Sequence, residues 1–452
     1  MTGGIMYDLI ILGAGPGGYE AASHAGEMGK KVALIEKEYI GGVCLNTGCI
    51  PTKTLLHSAK TLQLCREAEN YGIKTGKLEI DYGHIRKRKK EVIALLTKGV
   101  EGKLKRSGVE MIWGEGRLTA KNIVTVNKKD YETKNILIAT GSSPAVPPIK
   151  GIDSSKVLDS TAILELNKIP ESIAIVGAGA IGLEFAYFFN KMGTEVKIIE
   201  MLPHIAYQID TEISSYLLKS LENEGIDFAL ASKVTKIDKN GISYTRENGK
   251  TEMMQSEFVL NATGRKPNLE NIGLDEIGVL YDAEGIKTDL QGKTNVSGIW
   301  ACGDVTGRCL LAHAATREGI VAVNNMFEKR DIMRYKAIPS VIYTNPEVAS
   351  VGMTEQMLQQ EEIGYKKNIL SLNISGRFVA ENGKKVGYVK VLTGSQYNEI
   401  LGIHIIGEAA SEMIYGMAAF IEMEMRVDDI REIVFPHPTV SEAIKEAICQ
   451  IK

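Results

Sequence analysis

The sequence lacks the features that mark several protein classes. No stretch approaches the ~18 uncharged apolar residues of a membrane-spanning helix, so we expect none. The 53 Lys and Arg residues are balanced by 56 Asp and Glu residues, which leaves no basic field for nucleic-acid binding. The N-terminus has no charged region followed by an apolar one, so no secretory signal is predicted. We therefore expect a cytoplasmic protein that binds neither nucleic acid nor membrane.

Cysteine is also scarce, with six in 452 residues. Because the cytoplasm keeps thiols reduced, we expect these cysteines to be catalytic or unpaired rather than joined in structural disulfides. One local excess of positive charge, RKRKK at 86–90, leads into apolar residues at helical spacing. Such a run is also compatible with a nucleic-acid or membrane patch, but we interpret it as the solvated face of a helix.

The most informative feature present is a repeat of strand, glycine-rich turn, helix and strand. The apolar segment YDLIIL leads into GAGPGG at 13–18, and SIAIV leads into GAGAIG at 177–182. In both copies the first glycine lies 23 positions before a glutamate at the end of the next strand, Glu36 or Glu200. Two copies with equal spacing are not explained by glycines that merely permit tight turns. We therefore predict two dinucleotide-binding units.

The chemistry of a dinucleotide site accounts for each residue of this pattern. The first glycine forms the tight turn, the second lets the backbone approach the pyrophosphate, and the third lets helix and strand pack closely. The helix N-terminus offers N–H groups and partial positive charge to the phosphates. The carboxylate accepts hydrogen bonds from the ribose, and Glu200 would repel a 2′-phosphate. The second site is therefore predicted to prefer NAD to NADP.

Length and pattern indicate about three domains. The similar strand ends ILIATG and VLNATG, with the Pro-rich residues 144–148, mark the predicted crossings between the two dinucleotide domains. From about residue 336 the pattern changes to alternating strands and two helices, which indicates a separate α+β domain. The predicted fold class is α/β, with two Rossmann-like dinucleotide-binding domains and a C-terminal α+β domain.

The segment CLNTGCIPTK at 44–53 carries a predicted redox centre. Four residues separate Cys44 from Cys49, and no second Cys or His pair lies nearby to complete a zinc site. Pro51 suits the first turn of a helix, near whose N-terminus a thiolate is stabilised. We predict a disulfide pair that opens and closes; the alternative is two unpaired buried cysteines.

A second predicted element of the site lies near the C-terminus. His437 stands between Pro436 and Pro438, and Glu442 follows it by five positions at the start of a predicted helix. A carboxylate there would orient the imidazole and leave its other nitrogen as a base. Taken alone, such a histidine also suits a structural role, and the redox pair favours the base.

Together these motifs resemble the pyridine nucleotide–disulfide oxidoreductases. The resemblance includes GGVCLNTGCIPTK, both glycine-rich motifs, the ATG turns, the GD pair at 303–304 and HPTVSE, and extends from residue 7 to about 448. Within that family CLNTGCIPTK resembles the dihydrolipoamide dehydrogenases. Glutathione reductases more often carry a second lysine in place of Thr52 and basic residues in place of Glu200. Mercuric reductases end in a vicinal cysteine pair, whereas this chain has a lone Cys449.

The resemblance implies a homodimer that uses FAD to oxidise protein-bound dihydrolipoyl groups and reduces NAD. Cys44 would exchange with the substrate and Cys49 would face the flavin. Lys53, paired with Glu184, would lie against the reactive flavin nitrogen. His437, oriented by Glu442, would reach Cys44 of the other subunit. The cofactor residues that the resemblance implies are Gly13, Gly15, Gly18, Glu36, Lys53, Gly116, Thr140, Gly141, Asp304 and Ala312 for FAD, and Gly177, Gly179, Gly182, Glu200, Val234 and Gly264 for NAD.

The implied domains are 1–145 and 266–335 for FAD, 146–265 for NAD, and 336–452 for dimerisation. The implied partner is a lipoylated acyltransferase or a glycine-cleavage carrier protein, and the sequence does not decide between them.

Two positions depart from the family pattern: a larger residue is common at Ala180, and a His-Ala pair is common where Phe435-Pro436 stands. The alternatives are an NADH-dependent reductase of another disulfide and a catalytically silent flavoprotein scaffold subunit.

Overall fold

The computed structural model describes residues 6–383, 385 and 387–452. The chain divides into two compact units. The first contains the described residues up to Thr54 with Gly83–Ala145 and Gly264–Arg334. The second contains Leu55–Tyr82, Val146–Thr263 and the described residues of Tyr335–Lys452.

The strands are short, as is usual in α/β proteins. In chain order they are β1 Tyr7–Leu12, β2 Val32–Glu36, β3 Glu110–Trp113, β4 Gly116–Ala120, β5 Ile123–Val126, β6 Lys129–Ile138, β7 Ser142–Pro144, β8 Val157–Leu158, β9 Ser172–Val176, β10 Glu195–Ile199, β11 Asp227–Ala229, β12 Ser232–Asp238, β13 Gly241–Arg246, β14 Thr251–Met254, β15 Phe258–Asn261, β16 Arg265–Pro267, β17 Tyr281–Asp282, β18 Gly285–Ile286, β19 Ile299–Ala301, β20 Ser340–Ile342, β21 Glu347–Gly352, β22 Tyr365–Ser371, β23 Tyr388–Gly394 and β24 Ile400–Gly407.

The α-helices vary more in length. In chain order they are α1 Pro16–Glu27, α2 Gly42–Asn46, α3 Cys49–Glu67, α4 Tyr82–Arg106, α5 Ala180–Met192, α6 Thr211–Asn223, α7 Leu274–Ile277, α8 Ala312–Met326, α9 Glu355–Gln360, α10 Gly376–Asn382, α11 Ala410–Glu422, α12 Val427–Arg431 and α13 Glu442–Cys449. Short 3₁₀ turns lie at Ala68–Tyr71, Ala162–Glu165, Gly303–Thr306 and Leu372–Ile374.

The first unit is built on a seven-stranded sheet. Its order is β3-β2-β1-β6-β5-β4, and β19 also pairs with β6. Strands β3, β2, β1, β6 and β19 run parallel, whereas β4 and β5 are antiparallel extensions. Leu9, Ile10 and Ile11 of β1 are fully buried, as expected for a central parallel strand covered on both faces. This is the first Rossmann-like sheet.

The second unit contains a five-stranded parallel sheet and a C-terminal antiparallel sheet. The parallel sheet has the order β11-β10-β9-β15-β8, and β12-β13-β14 form a separate antiparallel sheet. The C-terminal sheet has the order β20-β21-β24-β23-β22, and its core is closed by residues of α11 and α13. The predicted fold class is confirmed.

Two details of the structure differ from the sequence interpretation. Residues 55–82 group with the second unit, although they fall inside the segment 1–145. In the basic run, Lys87 and Lys90 are exposed but Lys89 is only 1% exposed, so a wholly solvated helix face is wrong. Arg88 Nη1 in the same run donates to the Thr54 carbonyl at 3.3 Å.

None of the helices in the described part of the chain combines the length and apolar composition that crossing a membrane requires.

Candidate active site

The first glycine-rich turn has the shape that a dinucleotide requires. Gly13 has φ of +100°, and a Cβ atom there would overlap the Ala139 carbonyl. A Cβ atom on Gly18 would overlap the Gly13 carbonyl, so helix α1 packs tightly on the turn. A Cβ atom on Gly15 would meet nothing within 4 Å, which leaves open space beside the backbone. The three glycines thus fit the roles of turn, packing and ligand approach.

The second glycine-rich turn repeats this geometry in the second unit. Gly177 has φ of +103°, and a Cβ atom there would overlap the Ala262 carbonyl. A Cβ atom on Gly182 would overlap the Gly177 carbonyl, and one on Gly179 would meet nothing within 4 Å. The N-caps of α1 and α5 are Gly15 and Gly179, and neither makes a side-chain capping bond. The first N–H groups of both helices are therefore suited to phosphate oxygens.

The predicted carboxylates lie at the ends of β2 and just after β10, and both are fixed by backbone N–H groups. Glu36 Oε2 accepts a hydrogen bond from Ala14 N at 2.7 Å, and Glu200 Oε2 accepts one from Ala178 N at 2.6 Å. The second oxygen of Glu36 accepts from Lys37 N at 2.9 Å, and that of Glu200 from Leu202 N at 2.8 Å. Each carboxylate is thereby held beside its own turn. The spacing of 23 residues was the only sequence signal for this contact.

The residues just before the redox pair contact the first glycine-rich turn. Gly41 N donates to the Ala14 carbonyl at 2.8 Å, and a Cβ atom on Gly42 would lie 2.6 Å from Gly15 Cα. Glycine at 42, with φ of +57°, therefore permits the close approach of the two segments. Asn46 Nδ2 then donates to the carbonyls of Ile40 and Gly42, each at 2.9 Å, which shapes the short helix α2.

Cys44 lies in α2, and Cys49 is the first residue of α3. Both side chains are partly exposed thiols in this structure. A hydrogen bond with Cys49, followed by burial and electrostatic repulsion, raises the pKa of Cys44, and Lys53 opposes this rise. The structure therefore brings the predicted redox pair together in its reduced form. At neutral pH Cys44 is a protonated thiol, which is a poor nucleophile until a base removes its proton.

Lys53 and Glu184 lie in different units, and their pairing stays a prediction. Lys53 lies one turn into α3 and is half-buried. Glu184 is buried in α5, and its Oε1 accepts a hydrogen bond from Tyr343 N at 3.0 Å. The Tyr343 contact joins α5 to the residue that follows β20, and no motif in the sequence indicated it.

His437 and Glu442 are in contact as predicted. His437 Nδ1 lies 2.8 Å from Glu442 Oε1, and Glu442 Oε2 accepts from Thr439 N at 2.8 Å. The Thr439 amide and then His437 lower the pKa of Glu442, which remains a carboxylate at neutral pH. The His437 side chain is 81% exposed on this chain. A carboxylate at Nδ1 favours the tautomer that carries its proton there and leaves Nε2 as an acceptor facing solvent.

The other predicted flavin-site residues surround the crossing in the first unit. Asp304 accepts a hydrogen bond from Ser142 Oγ, and Arg265 Nε lies 3.9 Å from its carboxylate. Thr140 Oγ1 donates to the Asn268 carbonyl at 3.0 Å, and Asn268 N donates to the carbonyl of Gly141 at 2.9 Å. These contacts join β7 and β16 into a two-stranded ribbon. Ser142, Arg265 and Asn268 were not singled out in the sequence.

Four further predicted cofactor positions are described by their local packing and backbone: Gly116, Ala312, Val234 and Gly264. A Cβ atom on Gly116 would lie 2.7 Å from the Leu12 side chain, so glycine there allows close packing of β4. Ala312 is the first residue of α8. Val234 is buried in the core of the second unit, so a nucleotide would meet its backbone rather than its side chain. Gly264 has φ of +127°, and its carbonyl accepts from Ala145 N at 3.0 Å.

Burial holds two cysteines outside the redox segment, Cys302 and Cys309, as protonated thiols. Burial raises the pKa of Cys302 well above its usual range, and burial raises that of Cys309 to about 11. Within the described residues no group of three or more His, Cys, Asp or Glu side chains is arranged to hold a metal ion.

Comparison with known proteins decides the family. Residues 7–319 match the family model described as pyridine nucleotide-disulphide oxidoreductase, and residues 338–448 match the dimerisation domain of the same group. The chain belongs to the pyridine nucleotide–disulphide oxidoreductase family. Membership makes it an oxidoreductase and implies a flavin and a pyridine nucleotide as cofactors. The dimerisation-domain match supports a homodimer.

Curated relatives cover nearly the whole chain. A dihydrolipoyl dehydrogenase of Rhizobium etli is 36% identical over 98% of this chain and 97% of its own length. One from Mycoplasma genitalium is 38% identical over 98% of each chain. The mitochondrial dihydrolipoyl dehydrogenase of Pisum sativum is 36% identical over 97% of this chain and 90% of its own.

Solved structures have the same fold. LpdA of Mycobacterium tuberculosis superposes with a TM-score of 0.89 at 24% identity, over 98% of this chain and 99% of its own. RclA of Escherichia coli, an HOCl-induced flavoprotein disulfide reductase, gives 0.86 at 25% identity, over 99% and 100%.

The two turns allow a test that separates folding from ligand binding. Gly182→Ala places a methyl group against the Gly177 carbonyl, and we expect a loss of stability of about 1–3 kcal/mol. Gly179→Ala meets no protein atom within 4 Å, so the fold should be retained while the methyl group enters the space predicted to receive the pyrophosphate. We expect NADH affinity to fall by about tenfold or more, which corresponds to about 1.4 kcal/mol. Thermal unfolding and NADH titration measure the two effects. Wild-type NADH affinity in Gly179→Ala would contradict this assignment of the open space.

Proposed function

We propose that this chain catalyses the dihydrolipoyl dehydrogenase reaction, with FAD and NAD as its cofactors. The observation that carries the proposal is the Cys44–Cys49 pair next to a dinucleotide turn, in a chain that resembles dihydrolipoyl dehydrogenases over nearly its full length. The substrate is a dihydrolipoyl group on a separate carrier, a lipoylated acyltransferase or the carrier protein of glycine cleavage. The product is the lipoyl disulfide.

The first turn, with Glu36, binds FAD, and the second, with Glu200, binds NAD. The open space beside Gly15 and Gly179 and the uncapped helix starts support this assignment. Gly116, Thr140, Gly141, Asp304 and Ala312 complete the flavin site, and Val234 and Gly264 complete the NAD site. Glu200 carries negative charge beside the ribose position, which disfavours NADP. In domain terms, 1–145 and 266–335 bind FAD, 146–265 bind NAD and 336–452 form the dimer.

The cysteine pair performs the exchange with the substrate. A dihydrolipoyl thiolate attacks Cys44 of the oxidised pair and releases Cys49, and the second lipoyl sulfur then displaces Cys44. The lipoyl ring closes as a disulfide, and both cysteines are left as thiols. FAD supplies the two-electron transfer between this dithiol and NAD. Lys53, with Glu184 as its proposed partner, would supply positive charge beside the flavin.

His437 of the partner subunit provides the base. Each substrate thiol must lose its proton before its sulfur attacks, and the raised pKa of Cys44 favours a protonated thiol once Cys44 has been displaced. The carboxylate of Glu442 orients His437 Nδ1, so that Nε2 takes the proton. An 81% exposed histidine on one chain is suited to a site completed by a second chain. The active enzyme is therefore a homodimer.

A direct assay tests the proposed function. We expect purified protein to show a flavin absorption spectrum and rapid NAD reduction with dihydrolipoamide. NADPH oxidation with glutathione disulfide, measured in parallel, should stay at background because of Glu200. A flavin spectrum without lipoamide turnover would shift the substrate to another disulfide. Loss of every NADH-dependent activity would favour a scaffold subunit.

Cys44→Ser tests the exchange thiol. The variant should keep its flavin, because Cys44 does not form the glycine-rich turn, and lipoamide turnover should fall to background. NADH oxidation by ferricyanide should continue, since that reaction needs no dithiol exchange. Cys65→Ser, at a partly buried cysteine outside the redox segment, is the matched control and should keep full turnover. Surviving lipoamide turnover in Cys44→Ser would exclude Cys44 as the exchanging thiol.

His437→Gln tests the base. General bases contribute about 10²–10⁴-fold, so lipoamide turnover should fall within that range. NADH oxidation by ferricyanide should change by less than about twofold, because it bypasses the thiol proton transfer. Steady-state kinetics with both acceptors measure the split. Equal losses in the two reactions would mean that His437 is structural.

A further inference from the structure

An ion cluster is buried in the second unit. Lys390 on β23 has a side chain that is 1% exposed. Its Nζ lies 2.9 Å from Asp210 Oδ1, 2.5 Å from Glu355 Oε2 and 3.2 Å from Glu212 Oε2. Asp210 is fully buried. A buried ammonium is tolerated only when carboxylates such as these satisfy it.

Asp210 connects this cluster to the end of a loop. It is the N-cap of α6, where its Oδ1 accepts from Glu212 N at 3.1 Å. Its Oδ2 accepts from Glu355 N at 3.0 Å, at the start of α9. Burial alone would raise the pKa of Asp210, but His404 and Lys390 outweigh burial and lower it, so the carboxylate keeps its charge. Asp210 is therefore a fixed point between α6 and the C-terminal sheet.

The loop that ends at Asp210 begins at the second dinucleotide turn. Residues 201–209 follow Glu200, whose Oε1 accepts from Leu202 N at 2.8 Å. In the middle of the loop, Ala206 N donates to the Ala178 carbonyl at 2.8 Å. The Ala178 N–H in turn donates to Glu200. The loop thus contacts the glycine-rich turn through Ala206. One end of the loop is at Glu200 and the other is at Asp210.

We propose that Lys390 is a positioning residue for the pyridine-nucleotide site, because its ion pair with Asp210 fixes loop 201–209 and, through Ala206, the turn at Ala178. The inference rests on the proposed function, which assigns NAD to this turn. Lys390 contacts no part of the turn itself and acts through Asp210. A buried ion pair adds little to stability compared with apolar side chains of the same volume, so its value here is the geometry that it imposes.

The test compares two variants with a matched control. Lys390→Met leaves Asp210 buried without its cation, whereas Lys390→Met/Asp210→Asn removes both charges. Lys367→Met removes an exposed lysine that pairs with the same Glu355 at 2.9 Å and is 48% exposed. NADH is mixed with each flavoprotein in a stopped-flow instrument, and bleaching of the flavin near 450 nm yields an NADH dissociation constant and a limiting rate.

We expect the NADH dissociation constant to rise by about 2- to 30-fold in both Lys390 variants, the range seen for indirect positioning. The limiting rate should change by less than about threefold, because the flavin and the cysteine pair are untouched. Lys367→Met should match the wild type. This split between affinity and rate is not expected from a general loss of stability.

The outcomes are decisive in either direction. A double variant that folds, binds flavin and keeps wild-type NADH affinity would overturn the proposal. Loss of folding in both Lys390 variants would assign the cluster to stability and would overturn it as well. Wild-type protein whose flavin is not bleached by NADH would refute the proposed function instead, before the variants are compared.

Discussion

Each glycine-rich turn is held to its carboxylate by the backbone N–H of one alanine, which lies 22 residues before that carboxylate. Ala14 donates to Glu36 and Ala178 donates to Glu200, at 2.7 and 2.6 Å. Hydrogen bonds to an ionised carboxylate are shorter and stronger than those between neutral groups. The carboxylate proposed to bind the ribose therefore also fixes the turn proposed to bind the phosphates. Loss of either carboxylate would disturb both contacts together.

The carbonyls of the same two alanines explain how the copies differ. The Ala14 carbonyl accepts from Gly41, which leads into the cysteine segment, whereas the Ala178 carbonyl accepts from Ala206 in loop 201–209. In both copies the segment after the second strand thus returns to the turn. In the first copy this return brings the residues just before Cys44 against the first glycine-rich turn. In the second it brings a loop that the buried Lys390 cluster holds at its far end.

The sequence was sufficient for features set by short-range spacing. The two turns, their carboxylates, the cysteine pair and the His437–Glu442 contact each depend on residues within one motif or one repeat. Contacts between distant segments left no such signal: Asp210 with Lys390, Ser142 with Asp304, and Glu184 with Tyr343. Lys89 shows the same limit, because a basic run does not reveal which of its side chains the tertiary structure buries. Burial of polar groups is decided by partners far along the chain.

The acid–base properties of the two catalytic elements explain why they would be divided between subunits. The hydrogen bond with Cys49 and burial raise the pKa of Cys44 and keep it protonated, so the reduced pair is protected from adventitious reaction until the proposed electron transfer reoxidises it. A base permanently beside Cys44 would remove that protection in the monomer. His437 is instead exposed on its own chain, with Glu442 already orienting it. In the proposed mechanism, pairing of two chains supplies the base, so dithiol exchange would depend on dimer formation whereas NADH oxidation by a small acceptor would not.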